Sequence, residues 1–151
     1  MTHKDGSRGR ELHKDITDYL SNSCPYEAAK IIGDDWLIFP TTNEDGDKEM
    51  ADVLGTHGIM KASRKGGYFP DVIWEFWQRN DEDFAVAVEV GKYEPDRCPV
   101  NNPVIHVGFN GKVSLINPRD ILEFNLLKRT CDAVERLVGD RFPYLRDTHD
   151  T

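Results

Sequence analysis

Two acidic residues in the middle of the chain have a spacing that suits metal chemistry. Asp71 lies in the first half of a short aromatic and β-branched run, residues 68–76, and Glu89 lies near the end of a second such run, residues 84–92. Runs of this composition predict strands, and the polar residues 78–83 between them predict a hairpin loop. In an antiparallel pair the end of one strand faces the start of the other, so we expect Asp71 and Glu89 to lie side by side.

The surroundings of Glu89 add to this expectation. Strand alternation gives one face of Phe84, Val86, Val88 and Val90 and another of Ala85, Ala87, Glu89 and Gly91. A half-buried carboxylate is costly unless a cation or hydrogen bonds compensate it. Two carboxylates at one strand end favour a divalent cation such as Mg²⁺, which prefers hard oxygen ligands. The alternative interpretation is a pair of solvated or salt-bridged acids at the strand ends.

A short motif runs through both strands. Pro70-Asp71, followed after an apolar strand by Glu89-Val90-Gly91-Lys92, resembles the core signature of the PD-(D/E)xK nuclease superfamily. An acid on a preceding helix, here Glu49, and a Gly-rich basic loop before Pro-Asp also follow the order of that superfamily, so the resemblance covers residues 46–92. The family has one residue between the acid and the lysine, whereas two intervene here. A β-bulge at Gly91 would bring Lys92 back beside Glu89.

The resemblance implies a restriction-endonuclease-like core and cleavage of DNA that depends on Mg²⁺ or Mn²⁺. Asp71, Glu89 and the Val90 carbonyl would hold the metal ion. Lys92 would position the attacking water or stabilise the developing charge, and Glu49 would order the outer shell or a second ion. Two alternatives stay open: an inactive nuclease-fold protein that acts as an interaction module, and a chance match to the motif.

A basic loop lies directly before the Pro-Asp strand. Lys61, Arg64 and Lys65 cluster there beside two glycines, and we interpret them as contacts to nucleic-acid phosphates. The alternative is an ordinary flexible basic loop. The net charge of −8 argues against a protein that coats nucleic acid generally, but it leaves room for a locally basic surface. We expect DNA rather than RNA as the partner, and we allow for a homodimer.

Composition and length predict one domain. We expect residues 1–8 to be disordered, residues 9–143 to form a single nuclease-like domain, and residues 144–151 to form a loose tail. No apolar run approaches membrane-spanning length, and the N-terminus has no apolar segment typical of a secretory signal. The lack of such a run leads us to expect no membrane partner. The three cysteines are widely spaced and form no CxxC pair, which favours a reducing cytoplasm.

The remaining patterns predict the elements that position the acidic pair. Helices are expected at 10–20, 25–32, 47–54 and 118–138, and further strands at 36–39, 104–109 and 112–116. Asn110-Gly111 between two alternating apolar runs is the strongest hairpin signal in the chain. The expected fold class is α/β or α+β, with a mixed, largely antiparallel sheet of about five strands flanked by helices.

Several local signals set expected boundaries. Pro40 should end strand 36–39, Asn117 should cap the last helix, and Gly139 should end it. The last helix should bury the stripe Phe124, Leu127, Cys131, Val134 and Val138. We interpret His106, in the middle of an apolar strand, as a structural histidine, with a catalytic role as the alternative.

Overall fold

The computed structural model describes residues 2–33, 35–41, 70–78, 83–92, 103–118 and 120–145. Three helices and five strands lie in these segments. In chain order they are α1 (Thr2–Asn22), α2 (Cys24–Ile32), β1 (Trp36–Thr41), β2 (Val72–Gln78), β3 (Asp83–Val90), β4 (Val104–Val107), β5 (Val113–Ile116) and α3 (Ile121–Arg141). None of the helices in these segments combines the length and the apolar character needed to cross a membrane.

The five strands form one mixed sheet in the order β1-β2-β3-β4-β5. Neighbouring strands are antiparallel except for β3 and β4, which are parallel. The expected α+β fold, a largely antiparallel sheet of five strands with helices packed on it, is confirmed. The restriction-endonuclease-like core stays a prediction, as does the predicted helix at 47–54, which lies outside the described residues.

Both expected strand pairs form. In the β2–β3 pair Val72 lies opposite Val88 and Trp74 opposite Val86. In the β4–β5 pair the turn at Asn110-Gly111 is closed by a hydrogen bond from Gly111 N to Gly108 O at 3.0 Å. Gly111 has a φ of +84°, a conformation that glycine adopts without steric cost.

The three helices pack on one face of the sheet. Alternate strand residues point to that face, and they form one core with apolar residues of the helices. The strand residues are Ile38, Val72, Trp74, Phe76, Val86, Val88, Val90, Ile105, Val107 and Val113.

Trp74 is fully buried and donates its Nε1 hydrogen to Leu20 O at 2.9 Å, which ties β2 to α1. At the far end, Glu135 of α3 accepts a hydrogen bond from Val113 N at 2.9 Å. Each large apolar side chain buried here contributes about 1.5–3 kcal/mol.

Two expected boundaries differ because local backbone chemistry outweighs the residue pattern. Strand β1 continues through Pro40 to Thr41. It is an edge strand, where a residue without an N–H group is tolerated. Helix α3 begins after Asp120, whose carboxylate accepts a hydrogen bond from Glu123 N at 2.8 Å, and Asn117 instead has a φ of +56°. The N-cap is therefore Asp120.

The ends of the chain and of α3 also differ from expectation. Helix α1 begins at Thr2, where the sequence predicts disorder, because each residue added to an anchored helix gains a backbone hydrogen bond. Helix α3 continues through Gly139 to Arg141, since one glycine costs only about 1 kcal/mol in a helix. Phe124 is exposed rather than part of the buried stripe, and Leu145, expected in the loose tail, is buried.

Candidate functional site

Asp71 lies at the mouth of the β2–β3 pair, directly before β2. Its Oδ2 accepts a hydrogen bond from Val90 N at 2.8 Å. The last residue of β3 paired with β2 is Val88, so the Val90 amide lies beyond the regular ladder. The Asp71 carboxylate accepts the Val90 N–H in place of the backbone carbonyl that a longer β2 would offer. Asp71 therefore contacts the backbone at the end of β3, one residue beyond Glu89, and the expected side-by-side placement of Asp71 and Glu89 stays a prediction.

The other oxygen of Asp71 contacts a histidine that the sequence analysis did not single out. Nε2 of His13, on α1, lies 2.8 Å from Asp71 Oδ1. An ionised carboxylate only accepts hydrogen bonds, so Nε2 carries the proton in this contact. The side chains are 41% (His13) and 22% (Asp71) exposed, and a partly exposed pair of this kind contributes about 1 kcal/mol or less. His13 follows Leu12 and precedes Ile16 by three residues, so its place at the margin of the apolar stripe was a signal that could have identified it.

Glu89 lies on the face of the sheet opposite the helices. Val88 and Val90 are in the helix-side core, and alternation therefore directs Glu89 to the second face. It is half-buried there, and its register partner on β4 is His106. The smaller residues expected beside it, Ala85 and Ala87, are buried on the same face. Asp71 thus lies between His13 on the helix side and the end of the strand that carries Glu89.

The backbone turns at Gly91, the residue that follows β3. We call residues 90–92 the Gly91 turn. Gly91 has a φ of +94°, and a Cβ built there would lie 3.0 Å from Cζ of Phe109. Gly91 N donates to Val107 O at 2.9 Å, and His106 Nε2 donates to Gly91 O. The regular alternation of β3 therefore does not extend through Gly91, and the expected β-bulge at this residue stays a prediction.

Lys92, the last residue of the turn, is exposed. Within the described part of the chain it makes no hydrogen bond and no ion pair. Its expected position beside Glu89 stays a prediction. Glu49, Lys61, Arg64 and Lys65 lie outside the described residues.

The donor chemistry at this end of the sheet suits a hard cation. Two carboxylates, from Asp71 and Glu89, and the Val90 carbonyl are the oxygen ligands that Mg²⁺ takes in proteins. Each Asp71 oxygen accepts one hydrogen bond and keeps a further lone pair. Among the described residues, no group of three or more His, Cys, Asp or Glu side chains is arranged to hold a metal ion. The described residues therefore fit Mg²⁺ by type, and Glu49 would have to complete the set.

Comparison of the chain with protein-family models, with curated proteins and with solved structures finds no match.

Proposed function

We propose that the chain is a metal-dependent nuclease that hydrolyses phosphodiester bonds of DNA, with its site at Asp71 and the Gly91 turn. One observation carries the proposal. The hydrogen bond from Val90 N to Asp71 joins residues that are 19 positions apart, and these are the two halves of the PD-(D/E)xK-like motif. Both halves contribute to the same end of one strand pair.

Each residue has a distinct task in this proposal. Asp71, Glu89 and the Val90 carbonyl hold Mg²⁺ or Mn²⁺, which when bound acidifies a water molecule and stabilises charge on the phosphate. Lys92 orients the attacking water or neutralises the negative charge that develops as the phosphorus–oxygen bond breaks. Glu49 orders the outer shell. His13 holds the Asp71 carboxylate in one orientation through their hydrogen bond.

DNA binding is assigned to the basic loop. Lys61, Arg64 and Lys65 contact phosphates, and these contacts offset locally the net charge of −8. Substituting Arg64 and Lys65 together by Ala should reduce both the affinity and its salt dependence, equally across DNA sequences. An unchanged salt dependence would contradict this assignment. A homodimer and a cytoplasmic location remain predictions.

A second function is favoured by the contacts of Asp71. Both of its oxygens already accept hydrogen bonds, and Glu89 points to the opposite face from His13. In an inactive nuclease-fold protein Asp71 would serve only to cap the end of β3, and the domain would act as an interaction module.

The test is a cleavage assay with linear, nicked and branched DNA in Mg²⁺ and in Mn²⁺. The variants are Asp71→Ala and Glu89→Ala, and the matched control is Asp140→Ala, which removes an exposed carboxylate from α3. The nuclease proposal expects metal-dependent cutting that both site variants abolish and that the control retains.

A different pattern would favour the interaction module. Wild type would then cut neither DNA nor RNA in Mn²⁺, and the melting temperature would not respond to either metal. Asp71→Asn would still lower the free energy of unfolding by about 1–3 kcal/mol, because an amide cannot accept from both Val90 N and His13.

A further inference from the structure

Three consecutive peptide groups at the end of β3 are each held by a different partner. The Glu89–Val90 peptide donates its N–H to Asp71, at 2.8 Å. The Val90–Gly91 peptide donates its N–H to Val107 O, at 2.9 Å. The Gly91–Lys92 peptide accepts a hydrogen bond at its carbonyl from His106 Nε2. Of the three partners, two are side chains.

Each of these hydrogen bonds also orients the other polar group of the same peptide unit. Because the six atoms of a peptide group lie in one plane, holding either its N–H or its C=O orients the other. The bond to Val107 therefore orients the Val90 carbonyl, and the bond to His106 orients the amide of Lys92.

We propose that His106 is a positioning residue for Lys92. This inference rests on the proposed function, because it assigns His106 a part in placing the lysine of the nuclease site. A carbonyl oxygen only accepts, so His106 Nε2 carries the proton, and the ring acts as a donor fixed on β4. The register pair Glu89–His106 places this donor on the strand next to the one that carries the carboxylate.

The local backbone explains why a side-chain donor is used. Gly91 N donates to O of Val107, the last residue of β4 in register with β3, and the φ of +94° at Gly91 ends the parallel ladder at this bond. The Phe109 ring lies where a Cβ of residue 91 would intrude, so the turn is built around a glycine at this position.

The experiment compares two variants that differ in one donor. His106→Gln keeps an N–H near the place of Nε2, whereas His106→Leu keeps a similar volume without a donor. His106→Asn, whose shorter side chain withdraws the donor, replaces the leucine variant if that variant does not fold. The readouts are kcat and KM for DNA cleavage in Mn²⁺, together with hydrogen exchange of the Gly91 amide. The Phe142 amide, which donates to Val138 O in α3, is the control.

For His106→Leu we expect kcat to fall by about 10–100-fold with KM nearly unchanged, and His106→Gln should restore most of the loss. Exchange of the Gly91 amide should become about tenfold faster in the leucine variant alone, with Phe142 unchanged. Wild-type kcat in the leucine variant, or a loss that glutamine does not restore, would overturn the positioning role.

If wild type cuts no substrate, the proposed nuclease fails, and the exchange data alone decide whether His106 holds the turn. Faster exchange that glutamine reverses supports the role, and equal exchange in all variants rejects it.

Discussion

The helix-covered face of the sheet and the Gly91 turn are held together in different ways. On the helix-covered face, apolar side chains from all eight described elements share the burial, and Trp74, Phe76 and Leu127 are fully enclosed. At the Gly91 turn, three hydrogen bonds each hold a single peptide group: Asp71 and Val107 O accept from the turn, and His106 donates to it.

This difference determines which side chains tolerate substitution and which do not. Apolar contacts are non-directional, so a core of this kind tolerates changes in detail if volume and pattern are kept. A hydrogen bond to one peptide group has a required donor, distance and direction. Substitutions in the core should therefore change mainly stability, whereas substitutions at the turn should change function more than stability.

The largest effect on stability is expected in the helix-covered core. Trp74→Ala removes a fully buried indole and leaves Leu20 O without its donor, so the free energy of unfolding should fall by about 3–5 kcal/mol. Trp77→Ala is the matched control, because Trp77 is 45% exposed and should lose only about 1 kcal/mol or less. Urea unfolding measures both. Equal losses would contradict the assignment of one core face.

The same core should make stability fall at high pH. Burial raises the pKa of the Cys24 thiol and of the Cys131 thiol to about 12, from an ordinary 9.0. Only the unfolded chain loses these protons between pH 9 and pH 12. The stabilisation is therefore complete below pH 9 and is lost as pH rises, by about 1.4 kcal/mol per thiol for each pH unit. Burial also raises the pKa of Tyr19, with the same sign.

Unfolding free energies at pH 8, 9, 10 and 11 test this dependence. Cys131→Ala removes one of the two thiols and should give a shallower decline than wild type. A stability that stays flat from pH 9 to pH 11, or a variant with an unchanged slope, would show that burial of the thiols is not what links stability to pH.

The two regions also differed in how far the sequence could predict them. Period-2 alternation and apolar stripes predicted the strands around Trp74, the pair formed at Asn110-Gly111 and the burial of Cys131, because burial imposes a repeating pattern. Pro40 and Asn117 were misjudged as boundaries, since the position of β1 at the sheet edge and the single capping bond to Asp120 decide where these elements end and begin.

At the site, the motif placed Asp71 near the end of β3, and the bond from Val90 N to Asp71 lies there. The predicted meeting of Asp71 with Glu89, Lys92 and Glu49 stays a prediction, and the hydrogen-bond partners of the site were not predicted. The contact with His13 joins residues 58 positions apart, and no repeating pattern encodes such a bond. The bond from His106 to Gly91 depends in the same way on a parallel register that the sequence alone did not specify.

Two glycines, one at the turn and one in α1, should respond to alanine with smaller and opposite changes in stability. Gly91→Ala places a Cβ 3.0 Å from Phe109 at a φ of +94°, and should cost about 1–2 kcal/mol. Gly9→Ala is the control: it lies in α1 with nothing within 4 Å of the new Cβ and should stabilise by about 0.5–1 kcal/mol. Thermal melts of the two variants should therefore move in opposite directions. A stabilising Gly91→Ala would show that the turn does not need its positive φ.

The smallest effect on stability is expected at Lys92. Its side chain is exposed and bonds to nothing in the described part of the chain, so Lys92→Ala should change the free energy of unfolding by no more than about 0.5 kcal/mol. If the proposed nuclease is correct, the same substitution should abolish DNA cleavage while the melting temperature still rises with Mn²⁺, since the metal ligands are intact. Lys30→Ala, which removes an exposed lysine from α2, should leave both stability and cleavage unchanged.

Full cleavage by Lys92→Ala would show that this lysine takes no part in the reaction. A loss of both cleavage and stability would instead make Lys92 a structural residue, and the contrast between the core and the Gly91 turn would no longer hold.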